Sequence, residues 1–234
     1  MTKVAAFVFA RGGSKGLPKK NVLKIKGIPL LGHSINMAKS IPEVHAVYVS
    51  TDCHEIASIA REFGAIVIMR PSELATDLSP EWLSWQHAIN VVNSQYVPFD
   101  YFLSLPTTSP LRSRKDVQNC LGAMQSDVDM VIAVTPAQRN PWFNMVMFQA
   151  DQKVSLVAGS GDFGRRQDSP QCFDITTVAY VAKPDFVLSA NNLWQGRVIG
   201  VVVPQERSID IDNELDFAFA RFLMEGSHTL DKTV

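Results

Sequence analysis

Between Ala10 and Asn21 the chain reads ARGGSKGLPKKN: one arginine, three lysines and three glycines in twelve residues, with no acid. Gly12, Gly13 and Gly16 lack a Cβ, so backbone N–H groups can close on an anion. Arg11 offers a planar fork of donors and Lys15 a mobile point charge, with Ser14 between them and Lys19, Lys20 and Asn21 behind. That density of positive charge suits a triphosphate. The stretch is neither G-x-x-x-x-G-K-[ST] nor G-x-G-x-x-G, so it supports neither a P-loop ATPase nor a dinucleotide fold.

The acidic counterpart lies near the other end. DIDNELD, Asp210 to Asp216, holds four acids in seven residues. In a strand, Asp210 and Asp212 share one face while Ile209 and Ile211 take the other. Their Cα atoms are then about 7 Å apart. Two such carboxylates repel unless a cation sits between them. Magnesium accepts one or two carboxylates together with substrate phosphates and water. Asn213 then predicts a helix N-cap with Asp216 three residues on, which makes Glu214 and Asp216 helix-terminal charges. Leu215, Phe219, Phe222 and Leu223 predict that helix's buried stripe.

Three further stretches follow predicted strands, at the edge where parallel sheets bind ligands. STD (Ser50 to Asp52) reads equally as a ligand contact or as the cap of the next helix. MRPSELATD supplies Arg70. PTTSPLR is rich in small hydroxyls, Ser109 among them, and ends in Arg112; it also reads as a proline-defined turn.

The elements that must position these groups alternate. VAAFVFA, HAVYVST, AIVIM, YFLSL and DMVIAV read as strands. PLLGHSINMAKSI, HEIASIAREFG, PEWLSWQHAINVVNS and KDVQNCLGAMQS read as the helices between them. Strands separated by helices of this length imply a mostly parallel sheet covered on both faces, an α/β sandwich. Trp82 and Trp85 read as packing residues. From Thr135 to about Pro170 the rhythm breaks, and Trp142, Phe143, Met145, Met147 and Phe148 are too many large apolar groups for a solvent loop. A dimerisation arm over about 138–170 is expected within a single domain spanning 1–234. TVAYVA, PDFVLSAN, VIGVVV and ELDFAFARFLM then complete the alternation.

Of 234 residues, 46% are apolar, enough for a sizeable core, and the net charge of −1 gives no general attraction to nucleic acid or membrane. Residues 11–44 contain no aromatic side chain to interleave with bases. Cys53, Cys120 and Cys172 are an odd, scattered set, which fits a reducing cytoplasm rather than a disulfide framework. No apolar run reaches the ~20 residues of a membrane span. His33, His45, His54, His87 and His228 have no metal-ligand spacing.

Taken together, FARGGSKGLPKKN, STD, RPSELATD, TSPLR and RSIDIDNELDF, in this order, resemble the acylneuraminate cytidylyltransferases, the CMP-sialic acid synthetases. The resemblance covers nearly the whole chain. It implies a Rossmann-like nucleotidyltransferase sandwich, a homodimer built by the arm, and Mg²⁺-dependent transfer of CMP from CTP to a nine-carbon 2-keto acid sugar with release of pyrophosphate. It assigns Arg11, Gly12, Gly13, Ser14, Lys15 and Asn21 to CTP, with Arg70 a further nucleotide contact. Asp210 and Asp212 become metal ligands; the proton acceptor is left open between Asp212 and a metal-bound hydroxide. Ser109 is placed with the substrate, and Arg166 and Gln167 near the acid sugar. Neuraminate-specific members carry Gln-Pro before TSPLR and Arg-Pro-Asn-Gly after the RQ segment. Here Pro106-Thr107 and FDITTVAY stand instead, which is more similar to enzymes acting on bacterial legionaminic- or pseudaminic-type acids. A cytidylyltransferase for the octulosonic acid Kdo or another sugar, and a nucleotide-binding protein without turnover, are the alternative readings.

Overall fold

A computed structural model describes residues 2–226; His228 lies outside the described residues. The first strand, β1 (Val4–Phe9), is almost wholly apolar. Its period-two alternation sends Val4, Ala6 and Val8 into one core layer and Ala5 and Phe7 into another. A chain buried on both faces in this way must sit inside a sheet, and β1 does. It pairs in parallel with β4 (Val44–Thr51) on one side and with β6 (Tyr101–Ser104) on the other. β5 (Ile66–Met69) extends the sheet beyond β4.

The far half of the sheet holds β10 (Phe173–Ala182), β7 (Met130–Pro136) and β11 (Val198–Val202), giving the order β11-β7-β10-β6-β1-β4-β5. β10 runs antiparallel to both β6 and β7, while β11 is parallel to β7. The mostly parallel sheet expected from the alternation is therefore present, with one reversed strand in its interior.

Helices cover both faces. α1 (Leu30–Ser40), α2 (His54–Glu62) and α4 (Arg114–Gly122) pack Leu31, Ile35, Ala60 and Val117 against one layer. α3 (Glu81–Gln95) and α5 (Pro184–Ser189) pack Trp82, Trp85, Ile89 and Val187 against the other. Both tryptophans are core residues, as their spacing predicts. A short antiparallel pair, β2 (Lys24–Ile25) and β3 (Ile28–Pro29), closes the long basic turn after β1.

The irregular stretch between β7 and β10 carries its own two-stranded hairpin, β8 (Val146–Phe148) with β9 (Val154–Leu156), apart from the main sheet. Its apolar side chains stay in solvent: Met145, Met147 and Phe148 are all exposed, Phe148 to 80%.

Two expectations need correction. Ile209 to Asp212 joins no strand; the Ile211 N–H instead donates to the Thr108 carbonyl at 2.9 Å. The last helix, α6 (Glu214–Glu225), starts as predicted, with Asn213 accepting from the Leu215 and Asp216 N–H groups in a capping box. Its buried face differs. Leu215, Phe219 and Phe222 are exposed, and Phe217, Ala220 and Met224 pack on Leu17, Ile25, Leu30 and Ile211. The helix carries apolar residues on two faces, so periodicity alone cannot choose between them. The small third core cluster touches only one.

Candidate active site

The cleft is built where β1, β4 and β6 end. β1 hands the chain to the basic turn, and two carboxylate or carbonyl contacts fix that turn. The Ala10 N–H continues the sheet onto the Ser50 carbonyl at 3.0 Å. The Gly12 N–H then donates to Asp52 Oδ1 at 2.9 Å. STD thus serves the turn itself, since the helix after it is capped from Cys53 without a side-chain hydrogen bond. Asn21 pins the far side. Its amide donates to the Arg11 carbonyl at 2.9 Å and its Oδ1 accepts from Thr107 Oγ1 at 2.6 Å.

The turn and the aspartate segment are in contact. A Cβ on Gly16 would stand 2.4 Å from the Asp212 carbonyl oxygen, so only glycine allows this approach. Lys20 bridges the same two segments, donating from Nζ to the Ile211 carbonyl at 2.6 Å and to Asp212 Oδ1 at 3.2 Å. Arg11, Ser14, Lys15, Asn21, Asp210 and Asp212 consequently line one open cavity of about 450 Å³. The opposite charges at the two ends of the sequence meet there.

The cations of the turn carry a counter-charge. Asp77, from the loop after β5, pairs with Arg11 Nη1 at 2.8 Å and with Lys15 Nζ at 2.5 Å. The hydrogen bonds from Lys15 and Arg11 hold the Asp77 carboxyl below the usual range.

Asp210 and Asp212 differ in setting. Asp212 is exposed at the lip. Asp210 is half-buried at the floor, and its Oδ1 has no hydrogen-bond partner. Burial raises the Asp210 pKa, and Asp212 adds to the rise, against the hydroxyls of Thr108 and Thr177 and the charge of Lys20. A buried, unpartnered carboxylate oxygen calls for a missing partner. With Asp212 nearby it gives the hard, anionic oxygen donors that Mg²⁺ takes alongside phosphate and water, so the residues present fit that ion. Among the described residues no group of three His, Cys, Asp or Glu side chains is gathered to hold a metal.

A second cavity of about 260 Å³ adjoins the first and shares Phe9, Arg11 and Glu81 with it. Arg70 lines it but spends most of its donors on the protein. Nε and Nη2 go to Ser50 Oγ and the Ser50 carbonyl at 3.2 and 2.8 Å, and Nη1 goes to Ser84 Oγ at 3.2 Å. Its guanidinium lies 5.8 Å from the centre of the Phe9 ring, so the second cavity has a charged aromatic wall.

Other predicted site residues fall elsewhere. Ser109 is fully buried and bonds Thr177 Oγ1 at 2.6 Å and the Ile209 carbonyl at 3.3 Å, supporting the cleft from behind rather than lining it. Arg166 and Gln167 line a separate cavity of about 430 Å³ at the base of the arm, where Arg166 donates to the Ala137 carbonyl. Gly13 is open, with nothing within 4 Å of where a Cβ would sit.

Glu81, Thr108, Thr177 and Asp77 were not singled out from the sequence. Glu81, the first residue of α3, reads there as an ordinary helix-terminal acid. In the fold it is exposed on the wall shared by the two cavities. Desolvation by the surrounding groups raises its pKa and Asp210 raises it further, against Trp85 and Arg70. Thr108 lies inside PTTSPLR, so a signal existed. Thr177 sits in an apolar run that reads as plain strand.

The cytidylyltransferase family profile matches residues 5–137. The chain is 34% identical over 230 residues to the post-translational flagellin modification protein B of Campylobacter coli, covering 96% of each chain. It is 32% identical over 228 residues to the CMP-N,N'-diacetyllegionaminic acid synthase of Campylobacter jejuni subsp. jejuni, again covering 96% of each. Among solved structures, CMP:2-keto-3-deoxy-manno-octonic acid synthetase complexed with CTP superposes with a TM-score of 0.73 at 18% identity, over 97% of this chain and 100% of that one, a likeness of fold. With a glycine-rich basic turn, a facing aspartate pair, this fold and these relatives, the chain belongs to the cytidylyltransferase family.

Proposed function

We propose that the chain transfers CMP from CTP to the anomeric hydroxyl of a nonulosonic acid, releasing pyrophosphate, with Mg²⁺ held by Asp210 and Asp212. The observation that carries this reading is the contact between the basic turn and the aspartate segment, made at Gly16 and Lys20 on the rim of one cavity. Transfer of this kind asks the protein for alignment and for charge stabilisation. Arg11 and Lys15 stabilise the charge that builds on the departing pyrophosphate. The base and ribose take the adjoining cavity beside Arg70 and Phe9. When bound, the magnesium ion supplies Lewis-acid polarisation of the α-phosphate.

The likeness to a legionaminic acid synthase supports a legionaminic-type sugar over N-acetylneuraminate, and so does FDITTVAY in place of the neuraminate pattern. A panel of neuraminic, legionaminic and pseudaminic acids with CTP, followed by pyrophosphate release, tests it. The legionaminic acid is expected to give the highest kcat/KM. CTP binding without turnover on any sugar would favour a nucleotide-binding protein instead.

The exposed apolar hairpin supports a homodimer formed through the arm. Arg166 and Gln167 line a cavity apart from their own chain's cleft, so their role toward the sugar requires an arm that delivers them to the second copy. A variant lacking residues 140–165 is expected to sediment as a monomer in analytical ultracentrifugation, against a dimer for the full chain; a dimeric deletion variant would exclude the arm as the interface. Three free cysteines suit a reducing cytoplasm, and among the described residues no helix is long and apolar enough to cross a membrane.

A further inference from the structure

The turn after β6 holds a backbone donor that the protein itself does not use. Thr107 lines the main cavity and is only 3% exposed. Its hydroxyl is spent on Asn21. Among the described residues its N–H meets no acceptor. Buried N–H groups are seldom left in that state.

The direction of this N–H follows from its own peptide bond. The Pro106 carbonyl accepts from Ser34 Oγ at 3.1 Å and from Arg112 Nη2. Ser34 and Arg112 are both buried, and neither lines the cavity. The Pro106–Thr107 peptide is trans, so its N–H points opposite to its carbonyl. With the carbonyl turned into the core, the N–H is turned toward the cavity that Pro106, Thr107 and Thr108 line.

Arg112 fixes this arrangement from behind. It is 4% exposed, and Nη1 donates to Ser34 Oγ at 3.0 Å. Nη2 also donates to the Thr177 carbonyl at 3.0 Å. Thr177 stands in the cavity wall where β10 loses its register with β7, between Ile175 and Tyr180. One guanidinium thus ties together two segments of that wall. Its hydrogen bonds go to a hydroxyl and two carbonyls, and Nε has no partner. Burial pushes its pKa down to about 9, which leaves it charged at neutral pH. A buried cation that hydrogen-bonds no carboxylate is costly. Here its charge lies behind a peptide whose N–H is offered to the cavity, and both favour an anionic oxygen at that point.

The substrates narrow the choice of anion. The triphosphate has the donors of the basic turn. A nonulosonic acid carries its carboxylate on the same carbon as the anomeric hydroxyl, so a sugar poised to attack brings that carboxylate into this cavity. Arg166 and Gln167 of the same chain line a different one. We propose that the Thr107 N–H, aimed by Arg112, is a hydrogen-bond donor to the carboxylate of the sugar. Arg112 is then a positioning residue, acting through the Pro106 carbonyl. The inference rests on the nonulosonic-acid reading, and the test separates the two.

The full chain is labelled with nitrogen-15 at threonine only, and the Thr107 amide signal is identified by its loss in Thr107→Ser. CMP-linked legionaminic acid is the probe and CMP the control, since both carry the α-phosphate and only the first carries the carboxylate. The Thr107 amide proton is expected to move downfield with the CMP-sugar and to stay in place with CMP. The same movement with CMP alone overturns the proposal and makes the α-phosphate the ligand. A fixed Thr107 signal while other threonine amides respond to the CMP-sugar also overturns it. If no threonine amide responds and no sugar of the panel is turned over, the nonulosonic-acid reading fails and takes this inference with it. Arg112→Lys keeps the charge and loses the fork. It is expected to raise the KM for the sugar about tenfold, as loosening a hydrogen bond to a charged group does, with the KM for CTP unchanged. An equal rise in both KM values, or a lowered thermal midpoint with neither KM changed, would make Arg112 a purely structural residue.

Discussion

Lys15→Ala is expected to lower turnover with CTP by about a hundredfold to a thousandfold, the loss typical of removing one donor that faces developing negative charge. The fold should not register the change. Lys15 is exposed, and its ion pair is with Asp77, itself on an exposed loop. Solvent-exposed pairs of that kind contribute little to stability. The thermal midpoint is therefore expected to stay put while kcat falls. Stopped-assay measurement of pyrophosphate release alongside a thermal melt checks both. Near-normal turnover would remove Lys15 from the chemistry and leave Arg11 as the principal cation of the turn.

Gly16→Ala is expected to cost about a hundredfold in kcat without adding or removing a charge. The new Cβ would stand 2.4 Å from the Asp212 carbonyl, and the obstacle is backbone rather than a side chain able to swing away. Either the basic turn or the aspartate segment must retreat by about 1 Å, and misplacement on that scale costs about two orders of magnitude in aligned chemistry. Lys20, anchored on the same segment through the Ile211 carbonyl, would move with it. Gly13→Ala is the companion variant. Nothing lies within 4 Å of its Cβ position, so any loss there reports hindered approach of phosphate, not strain in the protein. Steady-state kinetics of the two variants side by side tests the assignment. Full activity in Gly16→Ala would mean that the two segments need not touch for turnover.

Much of this site could be read from residue types. Three glycines among four cations after an apolar strand point to an anion, and two aspartates two residues apart point to a hard cation. Both readings depend on local spacing, and the Asn213 capping box was equally local. What escaped the sequence was set by long-range packing. The run TVAYVA is apolar whether β10 lies parallel or antiparallel, and nothing in it marks the break that brings Thr177 to the cleft. Glu81 has the ordinary look of a helix-terminal acid until Arg70 and Asp210 are folded beside it. Arg70 reads as a free ligand-binding cation, yet Ser50 and Ser84 take up most of its donors. The buried face of α6 was misassigned because Leu215, Phe219 and Phe222 form as good a stripe as Phe217, Ala220 and Met224. Only the shape of the neighbouring cluster separates them.

The ion pairs of Asp77 alter how a nucleotide would arrive. Arg11 and Lys15 are not bare charges waiting in solvent; a carboxylate of the chain's own already neutralises part of their field. An incoming triphosphate must evict that anion, so binding is a swap rather than a simple capture. Dissolved salt screens the resident pair as well as the newcomer. The two effects oppose each other, and affinity should fade with ionic strength more gently than the count of lysines and arginines in the turn would suggest.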